Sequence, residues 1–420
     1  MPRLTRALRH RNYRLFFGGQ TVSLVGTWIT RIATSWLVYR LTKSELLLGV
    51  VGFAGQIPLL VLGPIGGVVS DRIDRHKLLV WTQLFSALQS LALAILAFTH
   101  ITVIQIVILQ VVQGIINAFD TPARQAFVVE MVEDREDLPN AIALNSAMFN
   151  GSRIIGPSIG GVMLAVVGEG WCFMVDAISY IAVILSLLAM RFARQPRVKP
   201  ESHPLEDLRV GFRYVGHFAP VRALLLIVSI VSIMGTPYIV LMPAIAASVL
   251  HGGPHTLGIL MTASGVGALL GTAYLASRHT IVGLGKVIVA ATVALSAGLI
   301  AFSFTRTLWL AILVIPVVGA GMMLMSASAN TILQTIVEEH MRGRVMAFYS
   351  MSVLGAMPIG SLIAGIVADR IGAERTIFAG AIGCLIGAAY FAFRRPALAA
   401  LIRPIYVERG ILEPIPETTG

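Results

Sequence analysis

The sequence has little of what a soluble enzyme or a secreted scaffold needs. Only two of its 420 residues are cysteines, and only 13% are charged. Cys172 and Cys384 both fall inside long apolar runs, which excludes a disulfide framework and leaves them as small buried hydrophobes. No histidine lies deep in an apolar run and no His-Glu-x-x-His occurs, so no metal ligand set is expected. The EEH at 338–340 is a loop charge cluster, and the glycines and proline of HGGPH at 251–255 mark a turn. A phosphate-cradling G-x-x-x-x-G-K-[ST] is missing, which excludes an ATP-driven pump within this chain. The apolar runs bring no nucleophile and base together. No catalytic residue, no cofactor and no enzymatic role is therefore expected.

What the chain has instead is grease. It is 56% hydrophobic with a mean hydropathy of +0.82, where soluble domains carry about a quarter charged residues. A bilayer core is about 30 Å thick and about 20 apolar residues cross it as a helix. Runs of that kind fall at about 15–39, 46–70, 78–99, 102–123, 142–167, 171–190, 222–248, 256–277, 284–305, 307–330, 345–368 and 374–393. The expected fold is therefore an all-α membrane protein of twelve transmembrane helices. The opening MPRLTRALRHRNYR is basic, but the apolar segment after it is too long for a secretory signal and has no cleavage site, so it reads as a retained first span. The glycosylation-like NGS at 150–152 lies inside a span and cannot be modified there.

The basic residues give the orientation. With the N-terminus on the cytoplasmic side, 25 of the 32 Lys and Arg lie on that side. Five (Arg40, Lys43, Arg306, Arg370 and Arg375) lie on the other, and Arg31 and Arg153 fall inside spans. Such a bias places both termini in the cytoplasm. The net charge of +11 is then a basic face against anionic headgroups and calls for no nucleic acid.

The longest polar stretch, RFARQPRVKPESHPLEDLRVGFRYVGHFAP at 191–220, divides the chain into two sets of six spans. An N-terminal bundle over 1–190, a cytoplasmic linker over 191–220, a C-terminal bundle over 221–395 and a tail over 396–420 are expected. The halves echo each other: DTPARQAFVVEMV at 120–132 ends the fourth span, and NTILQTIVEEHMRGRVMAF at 330–348 follows the tenth. In each, an Asp or Asn precedes a Gln, an apolar pair and a charged loop, as in transporters built from duplicated halves.

One stretch is more specific. GPIGGVVSDRIDRHKLL at 63–79 turns within a few residues from glycine and valine to a dense run of charge. Through Gly67, Val69, Ser70, Asp71, Arg72, Arg75 and Lys77 it resembles the loop between spans two and three of the major facilitator superfamily, with Asp74 where that family usually has Gly. Span four carries QVVQGIINAFDTPARQAF, span five GSRIIGPSIGG, and span eleven opens with RGRVMAFYSM. Together these resemble the drug- and siderophore-exporting branch, which includes enterobactin and macrolide exporters. The resemblance implies alternating access around a central cavity, proton-coupled export of a small amphipathic molecule, and a bacterial inner-membrane location. It also implies a latch between the two halves at the charged loop. Small-molecule cargo, protons and membrane lipids are the expected partners, and a monomer is compatible with all of this.

Several residues become site candidates. Gly63 and Gly67 form a small-xxx-small pair suited to close packing. Asp71 is placed to cap a neighbouring helix, and Arg75 to reach an acid on an adjacent one, for which Asp120 is the expected partner. Polar stripes run along spans one (Gln20, Thr27, Arg31), four (Gln110, Gln113, Asn117), seven (Ser229, Ser232, Thr236) and ten (Met322, Ser326, Asn330, beside Met323 and Met325). The resemblance implies that these four spans line the cavity, and polar glue between helices is the alternative. Ionisable groups at membrane depth are costly, so Arg31, Arg153 and Asp176 are coupling candidates. The family's span-four arginine, linked to coupling, is here Gln110. An importer of the same fold, and from another class an intramembrane enzyme or lipid-handling scaffold, stand as rivals.

Overall fold

A computed structural model describes residues 3–132, 134–191, 204–278 and 280–413. The linker residues 192–203 and the tail beyond 413, both named above, lie outside them. Thirteen long helices make up the described chain and no strand is present among these residues. They are α1 (Arg11–Thr42), α2 (Glu45–Arg72), α3 (Arg75–Phe98), α4 (Val103–Glu130), α5 (Leu138–Val166), α6 (Glu169–Leu188), α7 (Pro204–His217), α8 (Ala219–Val249), α9 (Pro254–Ala276), α10 (Leu284–Phe304), α11 (Leu308–Ile336), α12 (Glu339–Ile371) and α13 (Ala373–Glu408).

Among the described residues ten of these are long and apolar enough to cross a bilayer. Two expected spans, 15–39 and 142–167, are the helices α1 and α5, of 32 and 29 residues, which fall short of that count. Both are diluted by polar groups: Gln20, Thr27 and Arg31 in one, Asn145, Asn150 and Arg153 in the other. α7, within the polar linker, seats Gly211 against Phe348 at the start of α12.

Local chemistry sets the helix ends. Ser44 accepts from the Leu47 N–H at the start of α2, and Thr102 and Gln105 close a reciprocal capping box on α4. The turns into α6 and α13 use Gly168 and Gly372 at φ +82° and +88°, conformations that cost little only without a Cβ. These two glycines hold the same place in the two halves. α8 contains two π-helical turns, Val231–Gly235 and Ile245–Val249, and α12 contains one, Met351–Gly355. Each is a local break in the hydrogen-bond ladder of a kind that gathers at functional sites.

Packing repeats across the halves. α2 lies along α4 as α9 lies along α11, and α3 on α6 as α10 on α13. Two seams join the halves, α2 with α12 and α5 with α9. Their closest approaches are glycine on glycine. A Cβ on Gly49 would stand 2.8 Å from the Gly365 Cα, and one on Gly161 2.8 Å from the Gly258 Cα. Such backbone approach is how helices associate in lipid, where burial of apolar surface drives nothing. Ser44 Oγ also donates to Asp369 Oδ1 across the first seam, at 3.3 Å.

These contacts run from the middle of the molecule to the end away from the linker. Leu60 touches Gly355 near mid-height. Nearer the linker, a Cβ on Gly67 or Gly151 would meet nothing within 4 Å. The halves are closed at the far end and parted at the linker end.

Candidate functional site

The parted end carries the charged loop. Arg75, at the start of α3, sends Nη2 to Asp71 Oδ1 (2.7 Å), Nη1 to Glu130 Oε1 (2.6 Å) and Nε to the Ser70 carbonyl (3.2 Å). It ties the ends of α2, α3 and α4 together. The expected acid, Asp120, is not its partner. Asp120 is buried, accepts from Thr82 Oγ1 and Gln83 Nε2 at 2.8 Å each, and pairs with Arg124 at 3.4 Å. The reason lies in α4, which continues past Pro122 to Glu130. Ten further residues carry the chain about 15 Å along the axis, so the acid that meets Arg75 comes from beyond the expected span. Asp71 caps no helix among the described residues. Asp74, standing where the family usually has glycine, is the N-cap of α3 and accepts from the Lys77 N–H at 3.3 Å. Arg72 is exposed. All these partners belong to the first half, so these contacts brace that half.

Gly63 and Gly67 are not the close-packing pair either. A Cβ on Gly66 would lie 1.9 Å from the Ala118 carbonyl oxygen, so α2 turns Gly66 to α4 while Gly67 faces open space.

A second ionic cluster at the same end was not anticipated. Asp137, fully buried, receives Arg6 Nε (3.2 Å), Arg9 Nε (2.7 Å) and His10 Nε2 (3.0 Å), pinning the segment Arg3–Arg9 to the start of α5. Arg9 also reaches Asp134 at 2.7 Å. The Glu136 backbone N–H and the charge of Arg9 hold the Asp134 carboxyl below the usual carboxylate value. The signal was the match between a basic run at 3–14 and the acids at 134–137.

In the middle of the molecule, Arg31 is exposed and lies 5.1 Å over the Trp28 ring. Gly156 and Gly160 let α5 press on Trp28 and Ile29 of α1. Arg153, on α5, is close enough to interact with the charge of Arg31 and with Tyr238 of α8. The Tyr238 hydroxyl is 2.8 Å from Ser264 Oγ on α9. Among the described residues neither arginine forms an ion pair.

Asp176 does not serve them. It is 1% exposed, facing α1 and α3, and its Oδ2 accepts from Ser90 Oγ at 2.7 Å. Its Oδ1 has no hydrogen-bond partner among the described residues and lies beside Gly26, where a Cβ would come within 2.8 Å. Gly26 and Arg31 are five residues apart, about 140° around the helix. The acid therefore sits on the wrong side of α1 to meet the arginine.

The expected stripes divide. Thr27 and Arg31 are exposed, and Thr27 Oγ1 lies 3.4 Å from the Tyr180 hydroxyl. Gln113 donates to Ser86 Oγ and Asn117 Oδ1, and Gln110 packs on Gly55 of α2, so these three join helices within the first half. Gln20 and Thr236 are buried, Thr236 with its hydroxyl spent on the Ser232 carbonyl at 2.6 Å. Ser232 is buried too, while Ser229 is half-buried. Met325 is core, whereas Met322, Met323, Ser326 and Asn330 are half-buried. Ser326 accepts from the Tyr349 hydroxyl through its carbonyl at 2.9 Å.

The family model described as transmembrane secretion effector matches residues 5–402. The chain belongs to this family of the major facilitator superfamily. The transporter is 27% identical to the staphyloferrin A transporter of Staphylococcus aureus over 86% of its own length and 91% of the relative's. It is 28% identical to the multidrug efflux pump Tap of Mycolicibacterium fortuitum, over 84% and 88%. With the enterobactin exporter EntS of Citrobacter koseri it shares 25% identity over 85% of each chain. Its fold matches a bacterial homolog of the human lysosomal transporter Spinster, solved inward-facing and unoccupied. The TM-score is 0.68 at 15% identity, covering 96% of this chain and 98% of that one. It also matches the POT family transporter PepTSo, with a TM-score of 0.73 at 11% identity, covering 93% and 99%.

Proposed function

We propose that this transporter exports a small amphipathic molecule, drug-like or siderophore-like, by alternating access, with both termini in the cytoplasm. The two halves, 1–190 and 221–395, act as the moving bodies, with 191–220 as the linker and 396–420 as a cytoplasmic tail. The distribution of Lys and Arg supports the orientation. On that orientation the parted end opens to the cytoplasm, where an exporter takes up cargo. Names of relatives (an efflux pump, a siderophore exporter) support the direction.

One observation carries the site. Arg31 and Arg153 lie close enough for their charges to act on each other, and neither forms an ion pair among the described residues. Like charges this close repel each other, and a cargo carrying a carboxylate or catecholate oxygen relieves that repulsion. An arginine fork fixes such a group in a way a lysine point charge does not. Trp28 and the half-buried Met322 and Met323 suit its apolar part. Asp176, a buried carboxyl with hydroxyl neighbours, is the group that takes up and releases the coupling proton, in place of the arginine that Gln110 replaces.

Transport assays in inverted vesicles test this. Arg31→Lys should lower export of a carboxylate-bearing probe at least about tenfold more than that of a neutral one, the equivalent of about 1.4 kcal/mol. Equal loss for both overturns the anion site. Counterflow that accumulates cargo only in right-side-out vesicles favours an importer.

A further inference from the structure

Away from the central face, the second half holds a cavity of about 510 Å³. It lies at the linker end, where the apolar stretches of α8, α10, α11 and α13 stop. Leu224, Leu284, Ile332, Phe391, Leu398 and Ile402 form its greasy wall. Its volume falls within the range of about 300–1,000 Å³ typical of ligand sites.

The charges around it have one sign. Lys286 enters from the start of α10, and Arg395 and Arg403 from α13, eight residues apart and so on one face of that helix. The lining holds no acidic residue. None of the three cations has an ion-pair partner among the described residues. Arg395 runs its stem over Gly285, where a Cβ would stand 3.7 Å from Arg395 Cγ, and this leaves its guanidinium toward the rim.

α13 is built to make this wall. Its 36 residues span about 54 Å, far more than a bilayer core, so its last turns continue past the apolar region. Tyr406 is buried there, and Arg409 Nη2 donates to the Val337 carbonyl at 3.0 Å, fixing the extension against the end of α11. An apolar slot in the membrane with a basic rim at headgroup height matches one chemistry, acyl chain below and phosphate above.

We propose that this cavity binds an anionic phospholipid of the leaflet at the linker end, its acyl chain against Leu224, Phe391 and Leu398 and its phosphate among Lys286, Arg395 and Arg403. Charge complementarity selects the occupant, since basic pockets between spans at this height hold anionic headgroups. The bound lipid holds the α13 extension on α8 and α10. It leaves the central arginines untouched, so the site stands apart from the transport reading.

Native mass spectrometry of the full chain in a neutral detergent tests it, with phosphatidylglycerol and phosphatidylcholine as probes. The wild type should retain phosphatidylglycerol at least about tenfold more tightly, and a Lys286→Gln, Arg395→Gln, Arg403→Gln chain should lose that preference while still binding the neutral lipid. Leu398→Trp, filling the slot, should weaken both. Thermal unfolding of each variant without lipid checks that it is folded, and a folded Arg403→Gln chain alone should already lose part of the preference. A preference unchanged in the triple variant, or no preference in the wild type, overturns the proposal. So does a chain ending at Glu413 that binds lipid where the full chain does not, because the tail would then be the occupant.

Discussion

At the residue scale, the charged loop is a brace whose geometry makes separable predictions. Arg75 holds Asp71 and Glu130, and Asp120 belongs to Thr82, Gln83 and Arg124. Reversing Arg75 to Glu, or Glu130 to Arg, should each cut transport by membranes holding equal amounts of protein. The double reversal should recover part of it, with a coupling of about 1 kcal/mol or more, as for groups in contact. Arg75→Glu with Asp120→Arg should show no such recovery. If instead the Asp120 pairing recovers and the Glu130 pairing does not, the geometry seen here is not the working one. Of this cluster the sequence singled out Asp71 and Arg75 but not their pairing, since it gave Asp71 a capping role and sent Arg75 to Asp120. Glu130 was illegible because it depends on α4 running on through Pro122, and hydropathy ends the span where polarity begins. The same limit hid the pairing of Asp176 with Ser90, which depends on the rotation of α6 against α1 and α3.

At the element scale, the seams and the α2–α4 contact turn on which glycine faces a neighbour. Spacing alone offered Gly63 and Gly67, and the structure uses Gly66 instead. The sequence could not choose, since three glycines within five residues leave the helix rotation open. The two candidates now part experimentally. Gly66→Ala drives a methyl into the Ala118 carbonyl, which cannot give way as a side-chain tip would, so it should destabilise by about 1–3 kcal/mol, as overpacking does. Gly67→Ala meets open space and should leave the melting temperature in detergent within a degree or two of wild type, the scale of a few tenths of a kcal/mol. A larger loss at Gly67 than at Gly66 would mean the register of α2 is wrong. Should Gly67→Ala fold normally yet transport poorly, the position is needed in the conformation in which the linker end closes.

At the scale of the whole molecule, hydropathy periods located the helices well, because lipid forces every backbone group into an internal hydrogen bond and leaves helices as the answer. Their relative tilt was beyond the sequence, because glycines occur at both ends of the seam helices and only packing shows which of them meet. The glycine seams at Gly49 with Gly365 and Gly161 with Gly258 close the far end, while a Cβ on Gly67 or Gly151 at the linker end would meet nothing within 4 Å. Two measurements follow from one orientation. A reporter fused at Gly252 should read the outer side, and one in 191–220 the cytoplasm. Cysteines placed at Gly67 and Gly151 should then react with an impermeant thiol reagent added from the cytoplasmic face of inverted vesicles. Wedging the far end with Gly161→Leu removes the closest approach of α5 and α9 and favours the alternative tilt. In that variant the reactivity at both positions should fall several-fold, a shift of about 1 kcal/mol in the balance between the two conformations. Cysteines that stay equally reactive would mean the two ends open independently, and alternating access by tilting of rigid halves would not describe this molecule.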